Sequence, residues 1–309
     1  MSTHPFTLLV LGEALIDLVQ QADGAYTPFL GGSPYNLCCA AALQGVTVGY
    51  LNPLSTDSFG QLLHAQLIKS GAQAFSHSSL SPTSLSIVTI QNGEPSYGFY
   101  REGVADRGYN VNEVIRILES HPVGVLHSGS LMAIPPDHIN LLSIIEKAKK
   151  IGWIISIDIN ARSRLATDVD AYRDALREIA KQADWLKASD EDLYFMGFEN
   201  VDFANAGYIA NFFQSMGCNR IALTFGAQGA YLKVGDYAVT GPAHQITVVD
   251  TIGAGDVFWA SCLAAWIKDI LNINDMRFLE QTLNRALCAS AIVCTRKGCA
   301  PPVLNEIST

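Results

Sequence analysis

The 309-residue chain predicts an α/β fold: a mostly parallel sheet with helices on both faces, and a small β-sheet lid beside it. Three observations point there. Beyond Gly103, short apolar runs alternate with helix-length stretches, the pattern of βα units. The apolar run Phe6–Leu11 is continuous, as a strand buried on both faces requires. The segment Ser84–Arg101 instead alternates polar and apolar residues about Asn92-Gly93-Glu94-Pro95, which marks a hairpin set apart from the core.

Taken in order, Phe6–Leu11 is the first strand, ended by Gly12, and Glu13–Val19 is strand-like up to a turn at Gly24. Gly31-Gly32-Ser33-Pro34-Tyr35-Asn36 leads into a compact helix, Leu37–Gln44, stopped by Gly45. Val46–Leu51 is a strand and Gln61–Ser70 a helix, entered through Asp57-Ser58-Phe59-Gly60. After the hairpin come strand Gly124–His127, helix Asp137–Lys150, strand Trp153–Ile157, helix Tyr172–Gln182 and strand Trp185–Lys187. A short helix Glu191–Gly197, helix Asn205–Met216 and strand Arg220–Phe225 follow. Gly229–Val234 and Tyr237–Gly241 form a hairpin through Gly235-Asp236. A strand around Thr247 is then expected to end at a small-residue turn, Gly253-Ala254-Gly255-Asp256, which opens an apolar helix to about Leu271.

Composition narrows the function. Hydrophobic residues make up 49% and charged residues 16%, so the chain is globular and not disordered. A net charge of −9 leaves no basic surface for nucleic acid, and Lys147-Ala148-Lys149-Lys150 reads as a solvated helix end. No apolar run approaches membrane-span length, and Phe6–Leu11 is too short for a signal segment. The seven cysteines form no CxxC pair and no zinc spacing, so they read as small buried hydrophobes of a reducing compartment. The expectation is a cytoplasmic protein.

The chemistry centres on the turn at Gly253. Gly253, Ala254 and Gly255 carry little side chain, so their N–H groups can meet an anion where a helix begins. Asp256, in the first helical turn, can take a proton from a hydroxyl, which suggests phosphoryl transfer to an alcohol. On that segment alone, Asp256 reads equally as an ordinary N-cap. Polar residues also follow other strands: Asp158–Arg162, Lys187–Asp192 and Thr224–Gly229. Open α/β sheets bind ligands at such ends.

These motifs, in this order, resemble the ribokinase/PfkB family of carbohydrate kinases over essentially the whole chain. Gly31-Gly32…Asn36 and Asp250-Thr251-Ile252-Gly253-Ala254-Gly255-Asp256 are similar to its two signatures. Phe99-Tyr100-Arg101, Ala105-Asp106 and Ser189-Asp190-Glu191 look most like its bacterial fructokinase branch. The resemblance implies one ribokinase-like domain over residues 1–309, with a Rossmann-like core and a lid from about 13–30 and 84–104. It implies Asp256 as the base and the amides of Gly253, Ala254 and Gly255 as the anion hole. Asp17, Gly32 and Asn36 match sugar-binding positions, joined by Phe99, Arg101 and Arg162. Lys187, Ser189, Thr224, Gly226, Gly229 and Cys288 fall on the ATP side. Magnesium would arrive with ATP, and Ser189 and Asp192 occupy the family's metal positions, acting through water. A potassium ion would sit among carbonyls around Asp250 and Ile252 and the Thr295–Gly298 loop. The apolar lid face suggests a homodimer. Three departures stand out: Asp192 is shorter than the common Glu, Gln228 replaces a frequent Lys, and Cys288 a frequent Asn.

The reading is an ATP-dependent sugar kinase, with fructose as substrate and fructose 6-phosphate as product. One rival is a kinase for 2-keto-3-deoxygluconate, whose carboxylate Arg101 and Arg162 would meet, or for another sugar or nucleoside of the same family. A dinucleotide oxidoreductase is excluded because Phe258 stands where its third glycine belongs. A sugar-binding regulator without catalysis would not need Asp256.

Overall fold

The computed structural model describes residues 8–91, 94–269 and 275–307. Its first half runs β1 (Leu8–Val10), β2 (Leu15–Gln20), β3 (Tyr26–Gly31), α1 (Ser33–Leu43), β4 (Val48–Tyr50), α2 (Ser58–Ser70), β5 (Gln73–Ala74), β6 (Ser84–Gln91), β7 (Glu94–Tyr100), α3 (Val111–Ser120) and β8 (Val125–Gly129). It continues with α4 (His138–Lys150), β9 (Ile154–Asp158), α5 (Val169–Gln182), β10 (Trp185–Ser189), α6 (Asp190–Phe195), α7 (Ala206–Ser215), β11 (Arg220–Thr224), β12 (Ala230–Val234), β13 (Tyr237–Gly241), α8 (Ala254–Lys268) and α9 (Met276–Cys294).

Nine strands make the main sheet in the order β13-β12-β11-β10-β9-β8-β1-β4-β5. Its neighbouring pairs are parallel except β11–β12 and β12–β13, so β12 alone runs against the rest. Two apolar cores lie against it, one holding α1, α8 and α9 and the other α4, α5 and α7. That is the two-faced covering the continuous apolar strands required. In the first core Trp266 meets both Trp185 and Trp259 edge to face, with the Arg220 guanidinium 4.1 Å from the Trp185 ring centroid. Burial pushes that guanidinium down to about 10.

The lid is a separate four-stranded sheet, β3-β2-β6-β7. Its register sets Phe29, Asp17, Ser86 and Phe99 side by side across all four strands, and therefore on one face. The predicted hairpin forms as β6 and β7, while Asn92 and Gly93 of its turn lie outside the described residues.

Helices α1 and α8 run side by side and are tied at both ends. At the far end Gln44 Nε2 donates to Ser261 Oγ at 2.8 Å and Lys268 Nζ to the Gln44 carbonyl at 2.6 Å. At the near end Ser33 and Asn36 both donate to Asp256. Small residues, among them Cys38, Ala41, Ala260 and Ala264, are buried along this pair.

Four expectations change. The strand expected at Thr247 does not form: residues 242–250 are irregular, and the Val249 and Asp250 amides donate to the Cys294 carbonyl. Helix α1 starts at Ser33, four residues early, because Pro34 is tolerated in a first helical turn. Tyr26–Gly31 is a lid strand despite Pro28, which sits on the sheet's edge where a missing N–H costs nothing. Helix α8 ends at Lys268, and residues 270–274 lie outside the described residues.

Candidate active site

The C-terminal ends of the parallel strands and the lid's inner face border one cleft of about 760 Å³. From the lid it is lined by Leu15, Asp17, Val88 and Phe99, and from the head of α1 by Gly32, Ser33 and Asn36. Asn160, Arg162, Lys187, Ser189 and Asp192 line it beyond β9 and β10. Thr224, Gly226 and Gly229 line it beyond β11, followed by Ile246, Val248, the turn Thr251–Asp256, and Leu287, Ser290, Ala291 and Cys294 of α9.

The turn before α8 is built to leave amides open. Gly253 is left-handed (φ 80°), and a Cβ there would run into Cys299. Helix α8 has no side-chain cap. The amides of Gly253, Gly255 and Asp256 meet no acceptor among the described residues, whereas Ala254 N–H donates to the Thr251 carbonyl at 3.2 Å. The open amides at this helix head are therefore those of Gly253, Gly255 and Asp256, while Ala254, expected as a donor, is taken up by the turn. Asp250 braces the approach, accepting from Ile252 N–H at 3.0 Å and Gly298 N–H at 2.9 Å.

Asp256 is buried, and both its oxygens are held. Ser33 Oγ donates to Oδ1 at 2.7 Å and Asn36 Nδ2 to Oδ2 at 2.8 Å. Burial raises its carboxyl above the ordinary range, against the pull of Asn36, Ser33, Lys187 and Arg162. Burial also raises Asp17, while Ser86 and Arg162 oppose that shift and Asp256 adds to it. Glu13 lies in the cleft wall, 1% exposed and raised by the same cause, with Oε1 accepting from Ser33 N–H at 3.2 Å. Gly32 is obligatory here, since at φ 102° a Cβ would strike the Glu13 carbonyl.

Three predicted residues stand differently from expectation. Arg101 is bound to Asp106 at 2.9 Å and is not among the cleft-lining residues. Cys288 packs against the core, and α9 offers Leu287, Ser290, Ala291 and Cys294 to the cleft instead. Lys187 is 3% exposed and paired to both Asp158 oxygens at 2.9 and 3.0 Å. Its ammonium is thus held at the cleft wall by Asp158, and lies 3.2 Å from where a Gly255 Cβ would project. Burial pushes Asp158 up to about 7. Burial also opposes the Lys187 charge, yet Asp158, Asp192 and Asp256 together hold it above the usual lysine range.

Ser189 and Asp192 form a capping box at the head of α6: Asp192 N–H donates to Ser189 Oγ at 3.2 Å, and Ser189 N–H to Asp192 Oδ2 at 2.7 Å. Asp192 Oδ1 accepts from Ala161 N–H at 2.6 Å. Both carboxylate oxygens thus serve the backbone. Among the described residues no group of three His, Cys, Asp or Glu could hold a metal ion. Sequence reasoning missed Ser33 and Glu13 as site residues. The only signal for Ser33 was its place beside Gly31-Gly32, and Glu13 carried only its position after a buried strand.

No helix among the described residues is long and apolar enough to cross a membrane. The family model for pfkB family carbohydrate kinases matches residues 6–306. A fructokinase of Rhizobium leguminosarum bv. trifolii is 28% identical over 270 residues, covering 85% of this chain and 81% of that protein. Fructokinase-1 of Oryza sativa subsp. japonica is 29% identical over 310 residues, covering 96% and 94%. The crystal structure of a fructokinase with bound ATP from Xylella fastidiosa superposes with a TM-score of 0.84 at 25% identity, over 97% of this chain and 96% of that one.

Proposed function

This chain belongs to the pfkB family of carbohydrate kinases, and on that premise we propose that it transfers the terminal phosphoryl group of ATP to fructose, giving fructose 6-phosphate. The observation carrying this reading is Asp256, a buried carboxylate beside three open amides at a helix head, facing a cleft walled by Asp17 and Asn36. The sugar hydroxyl gives its proton to Asp256 as the phosphoryl group arrives. The Gly253, Gly255 and Asp256 amides meet the charge that develops on the phosphoryl oxygens. A carboxylate is a weak base, so positioning supplies more of the rate than proton removal. Asp17 and Arg162 hold sugar hydroxyls, Phe99 lies against the ring, and the lid excludes water. Thr224, Gly226 and Gly229 take the nucleotide.

The choice of a neutral sugar rests on charge. Glu13, Asp17 and Asp256 stand at the lid and helix-head end of the cleft, Asp190, Glu191 and Asp192 line it beyond β10, and Asp106 already engages Arg101. A sugar acid would add a further negative charge at low dielectric, with Arg162 as its remaining arginine partner. A coupled ATP-consumption assay over a sugar panel tests this. The kcat/KM for fructose should exceed that for 2-keto-3-deoxygluconate by at least about 100-fold. A faster sugar acid overturns the assignment.

For the cofactor, the open amides and the cleft suit ATP, and magnesium would enter on its phosphates, neutralising their charge. Ser189 and Asp192 fit that ion poorly as direct ligands, since the capping box occupies them, so contact would run through water. The carbonyls of Asp250 and Ile252 accept no hydrogen bond among the described residues, which suits a potassium ion beside the anion hole. The outer lid face, with Leu18, Leu85 and exposed Tyr100, is where we place a homodimer contact.

A further inference from the structure

We propose that Ser33 is a positioning residue for the general base, its hydroxyl holding the Asp256 carboxylate in the orientation from which it receives the sugar proton. The inference rests on Asp256 being the base. Ser33 is buried as the first residue of α1, and two hydrogen bonds in series run through it. Its N–H donates to Glu13 Oε1 at 3.2 Å, and its hydroxyl donates to Asp256 Oδ1 at 2.7 Å. The chain of contacts thus runs from the connection between β1 and β2, through the head of α1, to the head of α8. It spans 223 positions of sequence between Ser33 and Asp256.

Asn36 alone does not fix the carboxylate. A single donor on Oδ2, at 2.8 Å, leaves the group free to turn about the bond that carries it. A second donor on the other oxygen, from a residue one turn away on the same helix, removes that freedom. Glu13 makes the second donor dependable, because it holds the Ser33 amide in place, and Gly32 lets the chain pass close to Glu13. Each Asp256 oxygen keeps a further acceptor position for the sugar hydroxyl. The charged and titratable groups facing Asp256 are Lys187 and Arg162 on the favourable side, with Asp17, Asp158 and Cys299 opposing. The Ser33 and Asn36 bonds favour the ionised carboxylate within that field.

The test is Ser33→Ala in the full chain, with Ser33→Gly beside it as a second variant lacking the hydroxyl. Profiles of kcat and kcat/KM for the sugar are taken against pH, with KM for ATP. The expected result is a fall of roughly tenfold in plateau kcat, the scale of one hydrogen bond to a charged group. The acid limb should move to higher pH, since a donor favouring the ionised base has gone. KM for ATP should stay put. Either variant that folds, judged by its melting curve, suffices for the reading. An acid limb where the wild type has it overturns the proposal. Asp256→Asn, measured in parallel, separates the two failures. If it keeps near-normal turnover, the base assignment has failed. If it abolishes turnover while the Ser33 variants keep the wild-type limb, only the role of Ser33 has failed.

Discussion

Two helix heads face the same cleft and are finished in opposite ways. At α6, Ser189 and Asp192 close a reciprocal capping box, and Asp192 reaches on to the Ala161 amide. At α8, Gly253 offers no side chain, and the Gly253, Gly255 and Asp256 amides stay open. Both segments look alike as strings: a turn, small or polar residues, and acids in the first turn. What separates them is where the orphan N–H groups of a helix start are spent. A head that satisfies its own amides is a scaffold, and one that leaves them open can take charge from a ligand.

The sharpest way to break this contrast is Asp256→Asn. Turnover should fall by roughly 10²–10⁴-fold, the scale of losing a general base, while the melting temperature barely moves. The wild-type acid limb should lie above the ordinary carboxylate range, because burial raises Asp256 and activity is lost as pH falls through that raised value. Near-normal turnover in the variant would reduce α8 to a second scaffold head.

Next in size is Gly253→Ala. A Cβ at φ 80° meets strain and the Cys299 side chain, so the turn must rebuild. Stability should drop by about 1–3 kcal/mol, and kcat should fall by roughly 10–100-fold as the open amides lose alignment. Urea melts and steady-state kinetics read the two effects separately. Unchanged kinetics in a folded variant would mean the turn's shape is not what catalysis uses.

The smallest effect belongs to the other head. Ser189→Ala should cost about 1 kcal/mol, the scale of a lost cap, and leave turnover within about a factor of two. A drop of more than about tenfold, with a higher magnesium requirement, would bring α6 into the reaction.

Much of the frame was legible because buried parallel strands and glycine turns write themselves locally. Gly31-Gly32 and Gly253-Ala254-Gly255 announced close approach, and the cleft forms between them. The strand expected at Thr247 failed for an instructive reason. Ile246 and Val248 are apolar and alternate, yet they line the cleft rather than a sheet, and a ligand wall can carry the same pattern as a strand. Helix α3 was readable but passed over: Asn110 caps it, and Val114 and Leu118 repeat at helical spacing. Ser33 and Glu13 were not readable, because their partners are set by the meeting of α1, α8 and β1 and not by neighbours in the chain. Arg101 stands apart from the cleft lining because the backbone after β7 brings Asp106, five residues on, against its guanidinium.

The two ends at which α1 and α8 are tied have a consequence for measurement. One tie is the Asp256 carboxylate with Ser33 and Asn36, and the other is Gln44 with Ser261 and Lys268. Reaction geometry is thus a dimension between two helices rather than a property of either. Turnover becomes a gauge of their spacing, finer than any spectroscopic signal of helix content. Enlarging a packed residue two turns beyond Asp256, such as Ala264→Val, should slow the enzyme while circular dichroism still reports intact helices, because overpacking shifts backbones before it unfolds them.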